Sequence, residues 1–211
     1  MLRYAKADYN DVVYSLDGPP YNFDKYFGEK ESLGLDFANL PYLKDDENGV
    51  KITESMAILR YLGRKFGLFA TSDPELATED MLMMKLNDCV ERMVIANYHK
   101  QPYATEADFE KEMEQLRKEH DSTLELFEKF LVPGKWLTGD KLSYVDFLAY
   151  EIFDWYRELV PNDSLKKHEK LSAYMKRFEE LENLKDFLAS DEYRKNAIFG
   201  PFAKFGNKKK E

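Results

Sequence analysis

Nothing after residue 74 in this sequence reads as a strand, and that constrains the fold more than any other feature. From Asp73-Pro74 onward the apolar residues recur at helical spacing. Residues 75–98 carry Met81, Met84, Cys89 and Met93 on one such helix. Residues 106–131 form a second, heavily charged helix that stops before Pro133. A third starts at Ser143, and residues 164–180 and 182–189 read as two more. Any sheet must therefore come from the first 67 residues. Tyr9–Leu16 is β-branched and aromatic and reads as a strand. Gly18, Pro19, Pro20, Gly28 and Gly34 punctuate a long surface loop after it. Residues 41–45 and 50–53 read as an antiparallel pair around Asp46-Glu47-Asn48-Gly49, with Asn-Gly as the favoured two-residue turn. From Glu54 the period changes: Ile58, Leu59, Leu62 and Phe66 mark a helix that Gly67 ends. The fold class is thus a small α/β unit at residues 1–67, a linker at 68–74 and an all-helical domain at 75–211.

Bulk properties narrow the functional classes. The 211 residues are enough for a sizeable core, and 44% hydrophobic with 34% charged residues fits an ordinary globular chain. A formal net charge of −9 disfavours nucleic-acid binding, because phosphates require neutralising cations. The terminal Lys208-Lys209-Lys210 is too short to reverse that balance. Cys89 is the single cysteine, so no intrachain disulfide is possible and a reducing, cytoplasmic setting is expected. The N-terminus has no signal-peptide pattern, and no apolar run reaches spanning length. His99, His120 and His168 have no ligand spacing, so no metal and no resident cofactor are expected.

One local pattern is sharp. Ser143-Tyr144-Val145-Asp146 sets a hydroxyl at a helix start and an acid three residues on, a capping box with Asp in the Glu/Gln position. The serine oxygen is expected to accept from the Asp146 amide and the carboxylate from the Ser143 amide. Its role is to stabilise a helix; it carries no chemistry.

"LGLDFANLPYL" at 33–43, "KITESMAILRYLGRK" at 51–65 and "FLAYEIFD" at 147–154 together resemble the cytosolic glutathione transferases, with the mu class closest. The closing "FEELENLKDFLAS…IFGPFAKFGN" follows the class more loosely. The resemblance spans essentially the whole chain. It implies a thioredoxin-like glutathione-binding domain, helices that shape a site for the electrophile, a homodimer, and detoxifying conjugation of glutathione to hydrophobic electrophiles. Under it, Leu40-Pro41 is a cis step whose Leu40 backbone pairs with the cysteinyl part of glutathione as an added strand does. Ser55 and the amides of its helix start hold the γ-glutamyl carboxylate. Glu54 accepts from the γ-glutamyl ammonium, where the class usually has Gln. Asn39 and Lys30 match positions that hold the glutathione backbone or its glycyl carboxylate. Tyr26 stands where the class has tryptophan, and Phe23 where it often has arginine. Asp88 matches an aspartate that reaches the partner subunit's glutathione, with Glu91 as the competitor. Tyr98 or Tyr103, together with Phe199, lines the electrophile pocket.

The class carries its catalytic tyrosine on a first strand, and this sequence starts within the helix that follows that strand. "MLRY" aligns with the end of that helix, and "AKADYNDVVYSL" with the second strand. The expectation is a coding sequence that extends upstream in an active enzyme, with no catalytic residue assigned here. Tyr4 has the right chemistry but aligns with the helix. The alternatives are a non-catalytic binding or structural member of the fold, and a glutathione-dependent isomerase that uses the same thiolate.

Overall fold

The structure, a computed structural model, describes residues 1–14, 22–98, 105–159, 164–194, 198–204 and 206. Tyr103, His99, the loop residues 15–21 and the terminal lysines lie outside them. The chain divides into two compact units, residues 1–69 and 70–211, and each is considered on its own.

The first unit opens on a turn. Ala7 N–H bonds to Leu2 O and Lys6 N–H to Arg3 O, both at 3.0 Å, while Lys6 takes a positive φ of 51°. This paired pattern is that of a helix C-terminus, with lysine where glycine is the usual residue. "MLRY" therefore has the helix-end geometry that its alignment implied.

Residues 9–14 do not form the expected strand. A strand needs a partner to satisfy its amides and carbonyls. Among the described residues the sheet contains only β1 (Tyr42–Asp45) and β2 (Val50–Thr53). Val12 and Val13 are exposed. Tyr14 instead anchors the segment through its side chain. Its hydroxyl donates to Glu29 at 3.1 Å and lies 3.4 Å from the Tyr42 hydroxyl, and its ring meets Tyr26 edge-on at 5.3 Å.

Helix α1 (Asp24–Glu29) runs into a 3-10 turn, Lys30–Leu33, which Gly34 closes at φ 65°. In the hairpin Tyr42 pairs with Thr53 and Asp45 with Val50. The connection is thus four residues, Asp46 to Gly49, rather than a two-residue Asn-Gly turn. Gly49 alone carries a positive φ. Asn48 is held by Asp45, which accepts from its Nδ2 at 3.0 and 3.1 Å. Asp45 also accepts from the Tyr61 hydroxyl at 2.6 Å and pairs with Lys65. One carboxylate therefore ties the hairpin to two turns of α2 (Ser55–Lys65).

The second unit is helical. It comprises α3 (Asp73–Tyr98), α4 (Glu106–Phe130), α5 (Tyr144–Leu159), a 3-10 turn at Ser164–Lys167, α6 (Glu169–Glu179), α7 (Lys185–Ala189) and α8 (Asp191–Arg194). Helix α3 packs on α4 and α5, and α4 on α6. Leu86, Met93, Leu116, Leu124, Ile152, Phe153 and Tyr174 are fully buried among them. The segments expected as helices at 164–180 and 182–189 are shorter, because each opens with a tight turn before its helix. Helix α4 starts on a capping box the sequence reading had not singled out. Thr105 Oγ1 accepts from Asp108 N–H at 3.2 Å, and Asp108 accepts from Thr105 N–H at 3.1 Å.

The Ser143–Asp146 box is half as expected. Asp146 accepts from Ser143 N–H at 2.8 Å, but its own N–H goes to the Ser143 carbonyl at 3.1 Å rather than to the hydroxyl. The carboxylate does more than cap. It also accepts from Leu137 N–H and from the Tyr174 hydroxyl, each at 3.0 Å, and so joins the preceding loop, α5 and α6. Burial pushes its pKa up to about 6 against the pull of those donors. No helix among the described residues is long and apolar enough to cross a membrane.

Candidate functional site

A cleft of about 770 Å³ opens on the first unit. It is lined by Lys30 and Glu31 from the 3-10 turn, by Leu35 to Asn39 from the loop that follows, and by Glu54. The turn bounded by Gly34 brings Lys30 and Asn39 to the same opening, although they are nine positions apart. Tyr26 is not on the cleft surface. It is 7% exposed and lies under Lys30, whose ammonium sits 5.9 Å above its ring centroid. Phe37 projects from the lining and is 81% exposed.

The Leu40–Pro41 bond is cis, as expected, and Leu40 is 43% exposed beside Asn39. At the far end of the hairpin the chain turns into α2 through Glu54, with φ 68° and ψ 110°. A non-glycine residue there is strained, and such strain tends to collect at functional positions. The conformation sets Glu54 at the head of α2 but does not make it a cap, since its side chain forms no cap hydrogen bond. The first amides of α2 have no intrahelical acceptor by construction. Glu54 and Ser55 are both exposed there. The helix end thus offers amide donors and a positive dipole end for an anion, with a carboxylate one residue before them.

Three carboxylates (Glu31, Asp36 and Glu54) and one ammonium (Lys30) line the cleft. It suits a zwitterionic ligand with an ammonium and separated carboxylates. Among the described residues that line it there is no hydroxyl, thiol or imidazole. Sequence reasoning missed Glu31 and Asp36, although Asp36 lies inside the "LGLDFANLPYL" stretch and its polar side chain amid apolar neighbours was a visible signal.

Tyr98 and Phe199 meet in the second unit, edge to face with centroids 6.2 Å apart. Phe199 also packs on Trp155 at 5.5 Å. Asp88 lies elsewhere on that unit, on the wall of a separate cavity with Cys89 and Arg92. Glu91 accepts from Asn87 at 2.7 Å. Among the described residues no group of three or more His, Cys, Asp or Glu side chains is placed to hold a metal ion.

Residues 1–64 match the family described as glutathione S-transferase, N-terminal domain, and residues 87–191 match glutathione S-transferase, C-terminal domain. Glutathione S-transferase Mu 1 of Mus musculus is 35% identical over 209 residues, 99% of this chain and 91% of that one. This chain belongs to the glutathione S-transferase family. Glutathione S-transferase 2 of Gallus gallus is 38% identical over 211 residues, again covering 99% and 91%. Glutathione S-transferase B of Cavia porcellus is 34% identical over 209 residues, 99% of this chain and 92% of its own. Among solved structures, the glutathione S-transferase Blo t 8 superposes with a TM-score of 0.87 at 39% identity, over 98% of this chain and 92% of that one. The mu-like resemblance read from the motifs thus extends to named Mu relatives over nearly the full length. The fold is that of the glutathione S-transferases, with a thioredoxin-like first unit and an all-helical second.

Proposed function

We propose that this family member binds glutathione in the cleft of its first unit and transfers the glutathionyl group, through its sulfur, to small hydrophobic electrophiles. The observation that carries the reading is the convergence of Lys30, Asn39 and Glu54 on one cleft, beside exposed Leu40 and the open amide end of α2. Lys30 takes the glycyl carboxylate. Asn39 and the Leu40 backbone hold the peptide portion. Ser55 and the α2 amides take the γ-glutamyl carboxylate, and Glu54 takes the ammonium. Pro41 keeps the Leu40 backbone turned to the ligand, and buried Tyr26 supports Lys30 from below. Tyr98 and Phe199 offer an aromatic wall to the electrophile. Asp88 acts across a two-fold homodimer of the protein in the cytosol. Residues 1–67 are the glutathione-binding domain, 68–74 the linker and 75–211 the helical domain.

In the reaction the thiol first loses its proton to solvent. The sulfur lone pair then forms a bond to the electrophilic carbon. The electron pair of the bond that breaks leaves with the departing group, or moves onto an acceptor atom when the electrophile is an activated alkene. A free thiol near pKa 8.5 is only a few per cent ionised at neutral pH. The described cleft residues bind and orient the thiol, and none of them carries a hydroxyl to stabilise the thiolate. That composition also favours a second reading, in which the chain binds glutathione without turnover. Calorimetric titration of glutathione, run beside a chlorodinitrobenzene conjugation assay on one sample, separates the two. Heat with turnover supports the transferase. Heat alone supports the binding protein, and no heat from a folded sample rejects both.

A further inference from the structure

We propose that a cavity of about 440 Å³ in the second unit, walled by Cys89 of α3, His120 of α4 and Tyr156 of α5, is a binding site for a small neutral phenol. Every described residue that lines it belongs to the helical unit, and Asp88 is the one that it shares with the glutathione reading.

The telling group is His120. It is 2% exposed and lines the cavity, yet neither ring nitrogen has a hydrogen-bond partner. A buried polar group without a partner is costly, and native structures rarely leave one so. A ligand that bonds to the ring removes that cost. Burial lowers the His120 pKa to about 4, so at neutral pH the ring is uncharged and offers one acceptor nitrogen and one N–H. One face of the ring is already taken, stacked on Tyr156 with centroids 3.8 Å apart. The ligand must therefore reach the ring edge.

The surroundings select the ligand's charge and shape. Arg92 is committed to Glu112 and Glu119, and Lys118 to Glu114 at 2.8 Å. These two cations are already neutralised by pairing, and the third on the lining, Lys85, is exposed to solvent, where water screens its charge, so an anion gains little there. Burial raises the Cys89 thiol pKa, so the thiol is neutral as well. The volume lies within the range of small-molecule pockets. A flat aromatic ring with one hydroxyl fits these terms. Its apolar body fills the space between the helices, and its O–H, a stronger donor than an aliphatic hydroxyl, donates to the acceptor nitrogen of His120.

The test is calorimetry on the full chain with phenol, and with toluene as the partner lacking the hydroxyl. Phenol should bind the unaltered protein more tightly than toluene. His120→Phe keeps the stacking and removes the acceptor, and should weaken phenol about tenfold, to the level of toluene. Leu126 lines the same cavity at its exposed rim, so Leu126→Trp should fold and should abolish phenol binding by filling the space. This second variant decides the matter if His120→Phe does not fold. Absence of phenol binding to the unaltered chain overturns the proposal. So does unchanged phenol affinity in folded His120→Phe or in Leu126→Trp, since either result would locate phenol elsewhere.

Discussion

The Tyr98 hydroxyl accepts a hydrogen bond from the Gly200 backbone N–H at 3.0 Å, and so pins the end of α3 to the closing segment of the chain. Lys204 N–H to Asn97 O, at 3.4 Å, reinforces the same junction. A single phenol oxygen thus sets where Phe199, the ring beside it, sits. Tyr98→Phe keeps the ring and loses the acceptor, at a cost of about 1 kcal/mol for one hydrogen bond. We expect KM for the electrophile to rise several-fold while the calorimetric Kd for glutathione stays the same. A change in glutathione affinity instead would place Tyr98 in the wrong site.

Glu54 separates strain from binding. Its φ of 68° suits glycine, so Glu54→Gly should relieve backbone strain and raise the unfolding free energy by roughly 0.5–1 kcal/mol. The same change removes the carboxylate proposed to hold the γ-glutamyl ammonium, and should weaken glutathione about tenfold or more. Glu54→Gln keeps an acceptor and should recover most of that affinity without the gain in stability. Urea denaturation and calorimetry on the three proteins check both halves.

Much of this was legible in the sequence, and the reasons are physical. Period changes at Glu54 and Asp73 marked helix α2 and the helical second unit, although spacing did not fix burial: Cys89 and Met93 are buried while Met81 and Met84 on the same helix are exposed. Asp146 was visible because a capping box is local, four residues long. Its links to Leu137 and Tyr174 were not, because they join positions 9 and 28 residues away. Over residues 9–14 the strand expected at Tyr9–Leu16 failed for the complementary reason. Its residues have strand propensity, but strand formation is decided by a partner, and propensity does not supply one. In the cleft, Glu54, Ser55, Leu40 and Pro41 could be named from motif. The same motif did not tell that Tyr26 lies beneath the site, since burial there follows from how the Lys30 turn folds over it. His120 gave no signal at all: an unpartnered ring can be recognised only once α3, α4 and α5 are in place.

Asp146 gives a pH signature. Its folded pKa of about 6 lies above its ordinary 3.8, so the folded state holds a proton that the unfolded state releases between those values. Its contribution to stability is therefore greatest below pH 4 and declines as pH rises to about 6, by roughly 3 kcal/mol across the window. Asp146→Asn cannot titrate. The stability difference between the unaltered chain and the variant should shrink from pH 4 to 6 and stay flat above. Asp146→Ala, which strands three donors, should cost roughly 2–4 kcal/mol at neutral pH. Chemical denaturation across pH measures both.

Asp45 has the opposite sign. Lys65 and the Tyr61 hydroxyl beside it hold its carboxyl well below the usual carboxylate range. Its stabilising contribution is complete above the ordinary carboxyl pKa and is lost as pH falls below about 4. Asp45→Asn should lower the thermal midpoint at pH 7 and leave a smaller difference from the unaltered chain in acid. A constant difference at all pH values would mean that the hairpin is held to α2 by packing alone.

Glutathione binding to the Lys30–Glu54 cleft is the central claim, and one measurement tests it most directly. Glutathione is titrated into the unaltered chain and into Lys30→Ala by calorimetry, with circular dichroism to establish that both are folded. One site per chain in the unaltered protein, weakened about tenfold by loss of the Lys30 charge-assisted contact, is the expected result. Equal affinity in the two proteins, or no heat from a folded unaltered chain, would contradict it.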